Sequence, residues 1–235
     1  MSCTEITLKN DEKCVLEYTD FSDLKIELSE GSNLLLKLAN FKDNAEIKIY
    51  GKIKKNAGIS VVFADFSKNF TKISSQIDLV GEGANCDWHL ATLANKKDNK
   101  TFDISFKHLV GKTTSNMNNY GVARDESKIV FSGVSHITEG AKKSNAKQNA
   151  KIIVFDKASQ GVASPILKID ENEVQASHGA VVGQLNSNHM FYLMSRGLTR
   201  DDARALITLG YLKPVANNFS EEVQLKIENA IKEVM

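Results

Sequence analysis

The sequence predicts a mainly β protein, a parallel β-helix (β-solenoid) followed by a small C-terminal helical segment. Short β-type runs recur at roughly ten-residue spacing between about residues 24 and 185, with turn residues between them. Asn-Gly and Asp-Gly, the turns favoured by antiparallel hairpins, are absent. The only prolines are Pro165 and Pro214, which suits central strands because proline cannot donate to a strand ladder. The spacing also fits a sandwich or a barrel, but the missing hairpin turns favour the solenoid.

The strands are predicted from apolar runs between turn compositions. Residues 24–28 alternate apolar and charged side chains, as a half-buried strand does. Gly, Asn, Ser and Lys cluster at 30–33, 54–58 and 95–100, which predicts turns there. The other predicted strands are 34–38, 47–50, 59–63, 76–80, 102–106, 128–134, 151–155, 166–170 and 173–177.

After Leu185 the apolar period changes from that of a strand to that of a helix. Asn186 or Ser187 caps a first predicted helix, which Gly197 ends. Thr199 caps a second helix with two aspartates in its first turn, and Gly210 is its predicted end, with Pro214 beyond.

The third predicted helix starts at Ser220 and carries an apolar stripe at helical spacing, Val223, Ile227, Ile231 and Val234. The stripe either packs on the rest of the protein or forms a partner surface, and the sequence leaves both open. We therefore divide the chain into a β-helix core, residues 1–185, and a helical segment for partner docking, residues 186–235.

The composition is that of an ordinary globular protein. The chain has 235 residues and a net charge of +1, which argues against a nucleic-acid or membrane partner. No apolar run approaches the ~20 residues that span a bilayer, and the start lacks a signal-peptide pattern, so the expected location is cytoplasmic. Cys3, Cys14 and Cys86 are widely spaced, which predicts neither a disulfide framework nor a structural zinc site.

Few residues suggest chemistry by themselves. Cys86 and His89 are three positions apart and form a weak candidate metal pair. Gly81 and Gly83 fit a solenoid turn better than a phosphate loop, because neither phosphate-loop motif is completed. No nucleophile elbow and no acidic constellation of a carbohydrate-active enzyme stands out, so we predict no catalytic residues.

One long motif lies near the C-terminus. It reads Ser-His-Gly-Ala-Val-Val-Gly-Gln-Leu at 177–185 and Phe-Tyr-Leu-Met-Ser-Arg-Gly at 191–197. This combination resembles the SufB/SufD family, the scaffold proteins of Suf iron–sulfur cluster assembly. His-Gly-Ala at 178–180 is more similar to the SufD branch than to SufB. The resemblance covers roughly residues 75–213 and implies a right-handed parallel β-helix followed by a small helical domain.

The resemblance implies a scaffold subunit, not an enzyme, that acts with a SufC-type ABC ATPase. It also implies pairing as a homodimer or as a heterodimer with a SufB-like paralogue. In the family the helical segment after the β-helix engages the ATPase, which implies partner contacts by Phe191, Tyr192, Ser195, Arg196, Arg200, Arg204 and Tyr211. Family members are commonly longer, so we expect a short form that lacks their N-terminal helical domain.

His178 is the candidate metal ligand, because neutral imidazole ligates iron and the resemblance places a functional histidine there. A histidine that bonds to the backbone at a strand end is the alternative. His108 and His136 lie in predicted strands and could approach His178 across stacked turns. The family's cysteine before the motif is replaced by Gln-Ala-Ser at 175–177, so we expect no stably bound cofactor and at most a transient iron–sulfur cluster.

Two other functions stay open at this point. The first is an accessory binding protein that docks the ATPase but has lost cluster ligation. The second is an exported carbohydrate-active β-helix enzyme.

Overall fold

The structure is a computed structural model that describes residues 3–234, with fourteen β-strands followed by three α-helices. The elements are β1 (Cys3–Leu8), β2 (Lys13–Thr19), β3 (Asp23–Leu28), β4 (Asn33–Asn40), β5 (Ala45–Ile53), β6 (Gly58–Asp65), β7 (Phe70–Leu79), β8 (Asn85–Ala94), β9 (Asn99–His108), β10 (Thr114–Ala123), β11 (Lys128–Ile137), β12 (Asn145–Val154), β13 (Gln160–Ile169), β14 (Gln175–Gln184), α1 (Ser187–Ser195), α2 (Arg200–Ala216) and α3 (Glu221–Glu233).

Consecutive strands lie in opposite sheets, and paired neighbours are parallel. The odd-numbered strands form one seven-stranded sheet, the odd sheet, in the order β1-β3-β5-β7-β9-β11-β13. The even-numbered strands form the even sheet, in the order β14-β12-β10-β8-β6-β4-β2. Each odd strand and the even strand after it therefore make one turn of a β-solenoid. The predicted fold class is confirmed.

Inward-pointing side chains stack in columns because neighbouring turns pair in register. Aromatic rings fill the middle of the interior, where the centroid of Phe102 lies 6.3 Å from Phe63 and 5.6 Å from Phe131. Toward the last turns the columns become smaller and more polar. One column of the even sheet reads Leu16, Leu36, Val61, Trp88, Met117, Gln148 and His178.

Four strands, β1, β2, β8 and β10, are missing from the sequence prediction. Strand β10 points Ser115, Asn119 and Gly121 inward, so it lacks the apolar alternation that reveals a strand. Strand β8 has that alternation, with Cys86 and Trp88 pointing inward, and the prediction overlooks it.

A buried ion pair links several turns at one corner of the solenoid. Lys100 Nζ lies 2.7 Å from Asp65 Oδ2, and both side chains are 0% exposed. The Asp65 carboxylate also accepts hydrogen bonds from Asn40, Ser67 and Thr92 at 2.7–3.0 Å. This network joins β4, β6, β8 and β9. Removal of either charge would leave the other buried and unpaired, a defect that costs about 3–5 kcal/mol.

Helices α2 and α3 pack on the outer face of the even sheet. The helices and the turn between them contribute Leu212, Val215, Phe219, Val223, Ile227 and Ile231. The sheet and the turn after β6 contribute Ala39, Val62, Ala64, Phe66, Ala91, Leu93 and Val122. The apolar stripe of the third helix is therefore core and not a partner surface. Among the helices of the described residues 3–234, α1 alone has no buried residue.

Helix α2 is longer than predicted. It runs through Gly210 and Pro214 to Ala216, so the predicted end at Gly210 is wrong. Leu212 and Val215 are buried against the even sheet. Their burial outweighs the weak helix propensity of glycine and the missing N–H of proline.

The starts of the helices agree with the predicted caps. Asn186 and Thr199 accept hydrogen bonds from the first turns of α1 and α2, and α3 begins directly after Ser220. The Ser220 N–H donates to the Glu17 carboxylate on β2 (3.0 Å), which ties α3 to the first turn of the solenoid.

The imidazole of His108 is buried in the interior among hydroxyl groups. Nδ1 lies 2.7 Å from Thr113 Oγ1, and Nε2 lies 2.8 Å from Ser115 Oγ. Thr113 Oγ1 also hydrogen bonds to Ser144 Oγ at 2.8 Å. Burial lowers the pKa of His108 to about 4. The histidine is therefore neutral near neutral pH.

We expect the protein to become less stable as the pH falls from about 7.5 to about 5. The pKa of His108 is about 4 in the folded state and 6.5 in the unfolded state. As the pH falls, the imidazole is therefore protonated in the unfolded chain before it is protonated in the folded protein. The stabilisation is complete above about pH 6.5 and is lost as the pH falls toward the folded-state value. The loss amounts to about 2 kcal/mol at about pH 5.

Urea unfolding at the two pH values measures this loss. His108→Gln should reduce the pH dependence by about 2 kcal/mol, whereas His189→Gln, at an exposed histidine of α1, should leave it unchanged. The same pH dependence in the His108 variant and the unmodified protein would contradict the assignment.

Candidate functional site

The two ends of the solenoid differ in how their interiors are closed. At the first turn Ile6 and Leu8 are buried, and Leu16, Tyr18 and Phe21 pack over the core. At the last turn the inward positions of β14 are Ala176, His178, Ala180 and Val182, and nearly all of this strand is exposed. The last turn, β13 and β14, is therefore the open end of the solenoid.

Strand β14 has a continuous free edge. The N–H groups of Gln175 and Leu185 bond back toward β12, to Ser144 and Val154. Because backbone groups alternate sides along a strand, the even-numbered residues 176–184 point their N–H and C=O groups away from β12. This row includes His178 and lacks proline, so it can pair with another strand.

Strand β13 has an interrupted free edge. The N–H groups of Gln160 and Asp170 bond toward β11, so the odd-numbered residues 161–169 face the free side. Pro165 lies in the middle of this row and has no N–H to donate. Of the two edges at the open end, β14 is the one suited to accept a strand.

Exposed apolar side chains border these edges. On β13 and β14 they include Ile166 and Val181, and on α1 they include Phe191 and Tyr192, with Phe191 76% exposed. Exposed aromatic side chains such as those on α1 are enriched at protein interfaces. The strand edge and α1 thus form two neighbouring candidate interaction surfaces.

His178 lies at an inward position of the last turn, at the open end of the solenoid. It lies in register above buried Gln148, so its side chain belongs to an inward column, yet it is exposed. Below it, Gln148 Nε2 donates to Ser135 Oγ (2.7 Å) and to the carbonyl oxygen of Ile166 (3.0 Å). The imidazole of His178 is therefore accessible to a ligand or a partner.

His108 and His136 do not meet His178, so the expectation that they approach it is wrong. His108 is enclosed in its hydroxyl network, and His136 lies on the outer face of the odd sheet, with Nε2 2.7 Å from Asp170. A side chain on the outer face of the odd sheet, such as His136, cannot share a ligand with His178 in an inward column of the even sheet. Within residues 3–234, no three His, Cys, Asp or Glu side chains gather as a metal site.

The Cys86 and His89 pair is also excluded as a metal site by strand geometry. Their odd spacing puts the two side chains on opposite faces of β8, with Cys86 in the core. Burial raises the pKa of the Cys86 thiol. This cysteine is a small core residue.

Five of the predicted partner residues, Phe191, Tyr192, Ser195, Arg196 and Arg200, are exposed. Arg196 caps α1, since its N–H donates to carbonyl groups of the last turn, and its guanidinium lies 5.3 Å from the centroid of the Tyr192 ring. Ser195 Oγ donates to the Tyr192 carbonyl (2.8 Å). The partner role of these residues stays a prediction.

Arg204 and Tyr211 form contacts inside the protein. Arg204 pairs with Asp156 at 3.0 Å and lies over the ring of Phe155 at 5.6 Å. The Tyr211 ring packs edge-on against Tyr120 of β10, with centroids 5.8 Å apart, and burial raises its pKa. These two side chains fasten α2 to the solenoid. No local pattern predicts these contacts, because the partner residues lie far away along the chain.

None of the helices in the described part of the chain is long and apolar enough to cross a membrane.

Comparisons with known proteins point to one family. The family model described as SUF system FeS cluster assembly, SufBD core domain, matches residues 25–211. The chain is 31% identical to the iron–sulfur cluster assembly protein SufD of Bacillus subtilis over 158 residues, 67% of this chain and 35% of that protein. It is 25% identical to a SufBD family protein of Mycobacterium tuberculosis over 197 residues, 83% of this chain and 23% of that protein.

A SufBD family protein of Staphylococcus saprophyticus is 22% identical over 180 residues, 77% of this chain and 39% of that protein. The chain thus covers between 23% and 39% of the length of these relatives.

Proposed function

Because this chain belongs to the SufBD family of iron–sulfur cluster assembly proteins, we propose that it is a scaffold subunit that works with a SufC-type ABC ATPase. The observation that carries this proposal is the open last turn, where an unpaired strand edge, an accessible His178 and an exposed α1 lie together. The family is one of assembly scaffolds, and the proposed role requires no catalytic residue in this chain.

The proposed scaffold has two separate contact surfaces. The free edge of β14 pairs with the last strand of a second β-helix subunit, either another copy or a SufB-like paralogue. Helix α1 docks the ATPase through Phe191, Tyr192 and Arg196, since exposed aromatic and arginine side chains are the usual anchors of interfaces. The two surfaces adjoin but are formed by different residues, so both partners can be bound at once.

The cluster would be cargo held between subunits. His178 supplies one imidazole, whereas iron–sulfur clusters are normally held by thiolates. In the absence of a cysteine at 175–177, the thiolates would come from a cysteine-bearing partner. A second candidate, an accessory subunit that docks the ATPase without handling a cluster, is favoured by the same absence.

We expect single substitutions on α1 to weaken ATPase binding. Arg196→Ala or Phe191→Ala should each raise the dissociation constant at least tenfold, because loss of a central anchor costs about 2 kcal/mol or more. Both side chains are exposed, so the fold should be unaffected. Titration calorimetry with the ATPase measures the change.

Leu225→Ala is the matched control, because Leu225 is an exposed apolar residue on α3, away from α1. Deletion of the whole segment after residue 186 is a poor test, since α2 and α3 cover apolar residues of the even sheet. Equal affinities of the α1 variants and the control would refute docking through α1.

We expect proline in the free edge of β14 to prevent subunit pairing. Ala180→Pro removes an N–H that faces the free side and leaves the ladder to β12 intact. Ala163→Pro is the matched control, because Ala163 holds the equivalent position on the edge of β13 that Pro165 already interrupts.

Light scattering at micromolar concentration, for the chain alone and mixed with a SufB-like paralogue, measures pairing. The unmodified protein and the Ala163 variant should form a two-chain complex, and the Ala180 variant should not. A monomer under both conditions would exclude the pairing.

We expect cluster formation to require both His178 and a partner. Anaerobic loading with iron and sulfide should give little visible absorption for this chain alone and a cluster spectrum with a cysteine-bearing paralogue. His178→Ala should diminish that spectrum, whereas His136→Ala, on the outer face of the odd sheet, should not. A stable cluster on the isolated chain that survives His178→Ala would show the assignment to be wrong.

A further inference from the structure

A cleft of about 430 Å³ lies between α1, the start of α2 and the turn after β12. Phe155 and Leu185 line it on the solenoid side, and Met190 and Met194 line it on α1. Clefts that accept ligand groups typically measure about 300–1,000 Å³ and are mostly apolar, so this cleft is large enough for one or two side chains. Methionine side chains adapt their shape to an incoming group.

Two arginines border the cleft, and their surroundings differ. The charge of Arg204 is neutralised by Asp156 at 3.0 Å, and its guanidinium lies over Phe155. Arg200, one helical turn earlier, is exposed and forms no ion pair with any residue in 3–234. The nearby Asp202 accepts a hydrogen bond from Thr199 Oγ1 at 2.6 Å as part of the helix cap. The cleft therefore has an apolar interior and one guanidinium free to bind an anion at its rim.

We propose that this cleft receives an apolar side chain from an acidic partner segment, whose neighbouring carboxylate pairs with Arg200. The charged residues that line the cleft are Arg200 and Arg204, whereas Asp201 and Asp202 of the first turn of α2 do not line it, so the cleft favours an acidic occupant. A guanidinium binds a carboxylate through two parallel hydrogen bonds, which fixes the position of the incoming chain.

The occupant is a protein segment and not a small molecule. The cleft opens beside Phe191 and Tyr192, which are 76% and 56% exposed, and a small ligand would leave both uncovered. The inference rests on the proposed ATPase docking and specifies it further: the ATPase presents an acidic, amphipathic segment, and Arg200 selects it. Arg204, by contrast, positions the wall of the cleft.

Charge reversal at Arg200 tests this inference with the full-length chain and the SufC-type ATPase. Arg200→Glu should weaken binding at least about tenfold at low salt and abolish most of its salt dependence. Met194→Ser should weaken binding several-fold and retain the salt dependence. Lys213→Glu makes the same change of charge at an exposed position near the other end of α2 and should stay within about twofold of the unmodified protein.

The outcomes separate this inference from the docking on which it rests. If the ATPase binds the unmodified chain and the Arg200 and Lys213 variants equally well, the cleft proposal is wrong while docking stands. If Arg200→Glu weakens binding but Met194→Ser does not, the apolar half of the proposal is wrong. If the ATPase does not bind the unmodified chain, docking and the cleft proposal both fail. Thermal unfolding of each variant confirms that the fold is retained.

Discussion

The hydrogen-bonded ladder between successive turns is the constraint on which the rest of this structure depends. Each parallel strand satisfies its backbone groups only through the turns before and after it, so a solenoid always has two end turns with one unsatisfied side. This chain treats its ends differently. The first turn is closed by Tyr18 and Phe21, whereas the last turn combines a proline-interrupted edge on β13 with an uninterrupted edge on β14. Because stacking also aligns side chains in columns, the residue at the open end of the inward column, His178, is accessible without leaving its place in the strand.

The helices connect turns of this stack and carry the second of the two proposed contact surfaces. Helices α2 and α3 cross the outer face of the even sheet and bury apolar residues from β4, β6, β8 and β10, so they connect turns that do not touch one another directly. The contact of Ser220 with Glu17 extends this connection back to β2. A partner held by the start of α2 is therefore attached to several turns at once. Helix α1, which has no buried residue, is left as the exposed element between this body and the open edge.

The architecture could be predicted from the sequence more fully than the site. Alternating strands such as 24–28, the missing hairpin turns and the helix caps at Asn186 and Thr199 are local signals, and the structure agrees with them. Strand β10 gave no such signal because three of its inward positions, Ser115, Asn119 and Gly121, are polar or glycine. Whether the side chains of His136 and His178 point inward or outward depends on the register of whole sheets. Short sequence patterns do not contain that information. Arg200 and Arg204 look alike in sequence, and only the ion pair of Arg204 with Asp156, 48 residues away, separates a structural arginine from a free one.

The position of His178 also bears on why a scaffold would divide a cluster site between subunits. A single imidazole at the open end of a column cannot complete a metal site, because tetrahedral iron or zinc sites need four ligands. In the proposed pairing, the β14 edges that join the subunits carry His178 in the same row, so the event that satisfies the backbone groups also brings the histidine to the partner's ligands. Ligation and assembly would then be coupled. Any movement that the ATPase transmits through α1 and α2 to the last turn would act on the paired β14 edges and on His178 together. Under this proposal the open end suits a transient site, at which a cluster is built and then released.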